Sequence, residues 1–188
     1  MDSIRGASDD IGVAFFATAL GDCGLAWSDR AIVGVQLPER TAGATRSRLR
    51  RRFPSARTMS PPPHAQGAID AIVALLSGEP RDLTHIPVDM HGVPPFNRRV
   101  YEVARTIAPG ETLTYGELAA KLGEPGAARA VGQALGENPL PIVVPCHRVL
   151  AAGGRTGGFS GGAGVPTKLR MLAIERSPGP LFDRRTAP

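Results

Sequence analysis

Three prolines at positions 139, 141 and 145 constrain this chain more than any other feature. Each removes a backbone N–H and pushes the residue before it away from helical angles. Residues 142–144, Ile-Val-Val, are all β-branched, so the pattern predicts a short, stiff, buried extended segment. Cys146 and His147 stand at its exit. A rigid strand that releases a thiol beside an imidazole can hold a nucleophile still while its proton is drawn off. A free cysteine is also commonly one more buried small hydrophobe. On this stretch alone both readings stand.

The remaining composition narrows the setting. A chain of 188 residues fits one domain of moderate size or two small ones. Cys23 and Cys146 lie far apart and make neither a disulfide framework nor a zinc spacing. The start, with Asp2, Asp9 and Asp10, lacks the basic-then-apolar pattern of an export signal, and no run of about 18 apolar residues suggests a membrane span. A working thiol suits a reducing interior, so the expected location is the cytoplasm, with no membrane partner. Residues 1–84 carry 10 basic and 9 acidic residues, while 85–188 carry 12 and 8, so the basic surplus lies mostly in the half that holds Cys146. Such a surplus suits a polyanionic partner only weakly.

Read in order, apolar residues 11–20, a turn at 21–24 and further strands to residue 37 predict a small antiparallel meander closed by Pro38. Cys23 falls in that predicted turn and reads as structural. Arg46, Arg48 and Arg50 to Arg52 form a basic run ended by Phe53 and Pro54; a solvated helical face explains it better than a nucleic-acid patch. Ser60-Pro61-Pro62-Pro63 predicts a stiff linker, and residues 65–76 a helix stopped by Gly78. Residues 1–84 then form a supporting α/β domain, 85–95 a linker, and 96–188 a mainly helical second domain. Within the second domain a helix is predicted over 96–108, with Phe96, Val100, Val103, Ala104 and Ile107 inward.

Thr114 followed by Glu117 is a capping box that starts a helix over 115–122. A turn at 123–126 leads to a second helix over 127–137, which gives a helix-turn-helix. On this second helix Ala128, Val131 and Leu135 form the packing face, while Arg129, Gly132, Gln133 and Gly136 share the other. Interior glycines cost about 1 kcal/mol each. They let backbone approach a narrow surface such as a DNA minor groove, about 6 Å wide. Tight packing against another helix would use them equally well, and the sequence leaves both open. A last helix is predicted over 166–176.

The run Pro145-Cys146-His147-Arg148-Val149, preceded by Asn138-Pro139 and followed by Gly157-Gly158-Phe159-Ser160-Gly161-Gly162, resembles the O6-alkylguanine-DNA alkyltransferases. Thr114-Tyr115 and Ala127-Ala128-Arg129-Ala130-Val131 resemble them too, in register from about residue 95 to 175. The first half resembles the family only in layout, as a small ribonuclease H-like α/β domain, so the implied class is α+β. The resemblance implies a self-inactivating DNA repair protein whose partner is double-stranded DNA carrying O6-alkylguanine or O4-alkylthymine. It implies a monomer without a cofactor; Cys23, His64, His85 and His91 do not form the zinc set reported for some members.

By the same resemblance the extruded base meets Cys146 as alkyl acceptor, with His147 drawing off its proton through a water and Glu175 orienting the imidazole. Tyr115 would crowd a phosphate and donate to guanine N3, and Arg129 would fill the vacated stack. Ala128, Gly132 and Gln133 would face DNA. Asn138 would hold the turn before the active segment, and Val149, Phe159, Ser160 and Pro141 would line the pocket. Arg148 reads as a brace. Three positions depart from the usual pattern: Asn97 replaces a glutamine, Tyr101 a tryptophan and Phe159 a tyrosine. Two rivals remain, a lesion sensor that binds without reacting and a Cys-His hydrolase with turnover.

Overall fold

The computed structural model describes residues 11–176; the acidic positions Asp2, Asp9 and Asp10 lie outside them. The fold is mixed α+β. Strands β1 (Gly12–Thr18), β2 (Gly21–Trp27) and β3 (Ile32–Gln36) form an antiparallel meander. The β1–β2 turn comes earlier than the sequence suggests. Thr18 pairs with Gly21, leaving only Ala19 and Leu20 as the loop. The Thr18 hydroxyl fixes this choice, accepting from the Leu20 amide at 3.1 Å and donating to the Gly21 carbonyl at 2.7 Å. Cys23 is therefore not a turn residue: it sits inside β2 opposite Phe16 and is fully buried.

Helix α1 (Ala42–Arg52) starts from Thr41, whose hydroxyl accepts from the Ala44 amide, and buries only Thr45 and Leu49. Its arginines before Arg52 lie on the outward surface, and the last three favour the negative end of the helix dipole. Strand β4 (Arg57–Thr58) follows, pairing parallel with β1 to complete the order β3-β2-β1-β4. Two residues show no alternation, so the sequence could not announce it. Helix α2 (Pro63–Leu76) takes Pro63 from the expected linker as its first residue, a position where the missing N–H costs nothing. It buries Ala68, Ile69, Ile72 and Leu75 against the sheet.

The second half holds α3 (Pro95–Arg105), β5 (Leu113–Thr114), α4 (Tyr115–Lys121), α5 (Ala128–Gly136), β6 (Val149–Leu150) and α6 (Val165–Ile174). Helix α3 ends at Arg105, earlier than residue 108, because the Thr106 and Ile107 amides close a tighter last turn onto Val103 and Ala104. Both bonds of the capping box form: the Thr114 hydroxyl accepts from the Glu117 amide at 3.1 Å, and the Glu117 carboxylate accepts from the Thr114 amide at 2.6 Å. Helices α3, α4 and α5 pack on one another through Val100, Ala104, Leu118, Val131 and Leu135. The Tyr101 hydroxyl finds the Ala134 carbonyl at 2.8 Å, so the ring that stands in place of tryptophan is buried and satisfied.

The two halves share one apolar cluster, running from Leu25, Trp27 and Ile72 to Val100, Leu118 and Val144. Residues between them are tacked down as well. The Ile32 amide donates to Pro87, the Asp89 amide donates to Ile32, and the Arg105 guanidinium donates to the carbonyls of Leu83, Thr84 and Ile86. The parallel pairing of β5 with β6 sets Leu113 against Val149, which brings Tyr115 next to the segment that carries Cys146.

Removing the cap acceptor with Thr114→Ala should cost about 1 kcal/mol, read as a lower urea midpoint with an unchanged slope.

Candidate functional site

The stretch from Asn138 to Cys146 is a tight turn rather than the extended segment that its β-branched residues suggest. Ile142 sits at φ 78°, in the left-handed region, where a β-branched residue stores roughly 1–3 kcal/mol of strain. What overrules its preference is a set of short hydrogen bonds. The Asn138 side chain accepts from the Leu140 amide at 2.9 Å and donates to the Val144 carbonyl at 2.9 Å. The Val144 amide closes onto Leu140 at 2.8 Å, and the Cys146 amide donates to the same Val144 carbonyl at 2.8 Å. Cys146–Arg148 then forms one 3-10 turn.

That turn sends His147 and Arg148 inward to one carboxylate. His147 Nε2 lies 2.9 Å from Glu175 Oε1, while Arg148 Nε and Nη2 donate to Oε2 and Oε1 at 2.8 and 2.9 Å. Arg148 Nη1 also donates to the Ile107 carbonyl. Burial alone would raise the Glu175 pKa, but hydrogen bonds and charge from His147 and Arg148 win and hold it at about 2. A carboxylate that stays ionised can only accept, so the imidazole proton belongs on Nε2 and Nδ1 keeps its lone pair. Nδ1 is buried without a hydrogen-bond partner among the described residues. Burial pushes the His147 pKa below its ordinary value, with Glu175 opposing, so the ring is a neutral base at neutral pH.

Burial also pushes the Cys146 thiol up, while the Asn138 amide and the positive charge of Lys168 pull it back. The sulfur therefore keeps its proton until a base takes it. Lys168 is the residue whose importance the sequence reading missed. It is fully buried on α6, donates to the Val149 carbonyl at 2.6 Å, and lies 5.8 Å from the centre of the Tyr115 ring. Burial lowers its pKa to about 8, with Cys146 opposing the shift. One of two lysines in a chain otherwise rich in arginine was the signal available. A compact ammonium sheds charge on burial far more readily than guanidinium.

A cavity of about 560 Å³ reaches Cys146. Its walls bring together Tyr115, Ala128, Arg129, Gly132, Gln133, Phe159 and Ser160, all seven expected at the site. His147, Glu175 and Asn138 do not line the cavity: the first two have side chains closed to solvent, and Asn138 is half-buried. Two expected pocket residues do not line this cavity with their side chains: Pro141 faces a neighbouring depression beside Arg52, and Val149 is buried in β6 with its carbonyl accepting from Lys168. Burial raises the Tyr115 pKa, so the phenol remains a donor. Gly157, at φ 69°, lies so close that a Cβ there would come within 2.8 Å of the Tyr115 hydroxyl. The Ser160 hydroxyl donates to the Gly136 carbonyl at 2.9 Å and ties the glycine-rich wall to α5.

Gly132 and Gly136 do not serve internal packing. A Cβ on Gly132 would meet only the Tyr115 ring at an ordinary 3.8 Å, and one on Gly136 would meet nothing within 4 Å among the described residues. Arg129 and Gln133 are exposed beside them. Among the described residues no three His, Cys, Asp or Glu side chains gather as metal ligands, and His64 instead contacts the Ser28 carbonyl. No described helix is long and apolar enough to cross a membrane.

Residues 95–177 match the model of the 6-O-methylguanine DNA methyltransferase DNA-binding domain. A methylated-DNA protein-cysteine methyltransferase of Mycobacterium bovis is 43% identical over 135 residues, covering 69% of this chain and 79% of its own. One from Methanothermobacter thermautotrophicus is 34% identical and covers 82% of this chain and 79% of its own. Among solved structures, Mycobacterium tuberculosis OGT in complex with DNA superposes with TM-score 0.71 at 33% identity, over 91% of this chain and 98% of that one. The O6-methylguanine-DNA methyltransferase of Pyrococcus kodakaraensis gives TM-score 0.65 at 28% identity, over 88% and 98%.

The Glu175 pKa falls from an ordinary 4.5 to about 2 in the fold, so its stabilisation is complete above 4.5 and is lost as the pH drops toward 2. Glu175→Gln should cost about 3–5 kcal/mol at neutral pH, because it strands Arg148. Denaturant melts run against pH should show that deficit shrinking across this acid window.

Proposed function

This chain belongs to the methylated-DNA protein-cysteine methyltransferase family, and we propose that it repairs O6-alkylguanine in duplex DNA by taking the alkyl group irreversibly onto Cys146. The single observation that carries this reading is a thiol, 8% exposed, opening into a cavity rimmed by the glycine face of α5. An O6 atom inside a duplex is out of reach of any such sulfur, so the nucleotide must rotate out of the stack.

In this reading α4 and α5 act as a helix-turn-helix. Gly132, Gly136, Ala128 and Gln133 let the backbone of α5 lie close to the minor groove, since no internal packing uses the two glycines. Arg129, exposed at the first turn of α5, enters the duplex and fills the vacated place. Tyr115 crowds the adjoining phosphate from the other side of the cavity. Residues 1–84 act as a ribonuclease H-like supporting unit, joined through 85–95 to the alkyl-acceptor unit of 96–188.

Chemistry is one in-line displacement. Cys146 sulfur bonds to the alkyl carbon as the carbon–O6 bond breaks, and both electrons of that bond leave with guanine. The thiol proton passes through a water to Nδ1 of His147, which Glu175 holds in the accepting tautomer. Guanine leaves more easily with a donor at N3, supplied by the Tyr115 hydroxyl; the departing anion takes up one proton, matched by the thiol proton that His147 releases to solvent. The Ser160 amide donates to O6, and the Cys146 and Val149 carbonyls accept from the exocyclic amine, Val149 sharing its carbonyl with Lys168. Lys168 favours the thiolate as it forms. The product is a thioether, which no residue in the site can cleave, so each chain acts once. O4-alkylthymine presents a similar carbon–oxygen bond and is a second candidate substrate. A reduced thiol and a DNA substrate suit action in the cytoplasm by a monomer.

Incubation with a duplex bearing O6-methylguanine should add one methylene mass unit per chain, mapped to Cys146, and Cys146→Ser should add none. Tight binding without mass change would indicate a sensor, and product released repeatedly from an unmodified chain would indicate a hydrolase. Arg129→Ala should slow transfer on duplex about 10- to 100-fold, since unstacking costs a few kcal/mol, and slow it far less on a single strand. Single-turnover rates on the two substrates check this.

A further inference from the structure

The basic run on α1 ends in an arginine that leaves its own half of the molecule. Arg52 Nη2 donates to the Pro139 carbonyl at 2.8 Å and Nη1 donates to the Val35 carbonyl at 2.7 Å. The Phe53 ring backs the guanidinium at 5.3 Å. Gly34 leaves the space for it: a Cβ there would come within 3.1 Å of Nη2 and 2.7 Å of the Phe53 ring. Beside this fork, the Val35 amide donates to the same Pro139 carbonyl at 3.1 Å. One carbonyl in the active-site turn thus takes two donors from the first half of the chain.

That turn needs outside help. Pro139, Pro141 and Pro145 supply no N–H to hold it, and Ile142 is strained. Of its internal stitches, one runs from the Leu140 amide to the Asn138 side chain, while those from the Asn138 side-chain amide and the Cys146 backbone amide end on one acceptor, the Val144 carbonyl. The fork at Pro139 fixes the residue between Asn138 and Leu140, which are the two ends of the first stitch. Any slack at Pro139 is therefore passed to the Asn138 amide and from there to the sulfur.

Resting on the alkyl-transfer reading above, we infer that Arg52 is a positioning residue for Cys146, acting from the supporting half through the Pro139 carbonyl and the Asn138 turn. The arginine cannot be replaced by a point charge, because two carbonyls must be bridged at once by a planar fork. Its role is in placing the thiol and not in holding DNA.

The test compares full-length wild type, Arg52→Met and Arg52→Lys, each held well below its own melting temperature. Single-turnover transfer at saturating duplex should fall about tenfold in Arg52→Met, with the duplex Kd within about twofold of wild type. Arg52→Lys should recover part of the rate. A second readout does not need the lesion: labelling of Cys146 by iodoacetamide, mapped by peptide mass against pH. Its midpoint should move to higher pH in Arg52→Met as the Asn138 amide loosens at the sulfur. An unchanged rate with an unchanged labelling profile would overturn the inference and leave Arg52 as glue between the halves. A weakened Kd with an unchanged rate would also overturn it and make Arg52 a phosphate contact. Should wild type accept no alkyl group, the repair reading fails, while the labelling profile still decides the role of Arg52.

Discussion

One carboxylate organises the reactive end of this protein. Glu175 takes three hydrogen bonds from two consecutive residues of a single 3-10 turn, His147 and Arg148, in a region closed to solvent. Hydrogen bonds from His147 and Arg148 together keep the carboxylate ionised, and the ionised carboxylate dictates which imidazole nitrogen carries a proton. Without Arg148, the His147 hydrogen bond alone would have to oppose burial, and the carboxylate would be held ionised less firmly. The ion pair thus sets a tautomer more than it adds stability, since buried pairs repay their desolvation only narrowly.

Around that pair the protein keeps its thiol protonated and its histidine neutral at rest. Burial drives both shifts, upward for Cys146 and downward for His147. The separated charges of a thiolate and an imidazolium are disfavoured until an electrophile arrives to consume the sulfur's electron pair. Lys168 biases the same balance from the other side, and Tyr115 sits between it and the cavity. A site of this kind holds a strong nucleophile in reserve without exposing it to casual oxidation.

Much of this was legible in the sequence, for identifiable reasons. Helices α2 to α5 followed from apolar spacing and from the Thr114–Glu117 cap, because local signals and packing agree there. The residues around the cavity came from their motif, and Arg148 from its position in it. The active turn was misread because local preference and tertiary stitching conflict: three β-branched residues favour extension, whereas Asn138 and three missing amides force a turn with Ile142 at positive φ. The β1–β2 turn was misplaced for a similar reason, the Thr18 hydroxyl outweighing the glycines that follow. The contacts of Lys168 and Arg52 were not legible, since their partners lie 19 and 87 residues away and no spacing reports such contacts.

The proposed transfer requires His147 to be a neutral base whose only proton is on Nε2. NMR of the imidazole nitrogens in histidine-labelled protein at neutral pH reads this directly, with Glu175→Gln used to assign the signal. A resonance for His147 with a protonated Nε2 and an unprotonated Nδ1, persisting below the ordinary histidine pKa near 6.5, is what the geometry requires. A proton on Nδ1, or a doubly protonated ring at neutral pH, would contradict it.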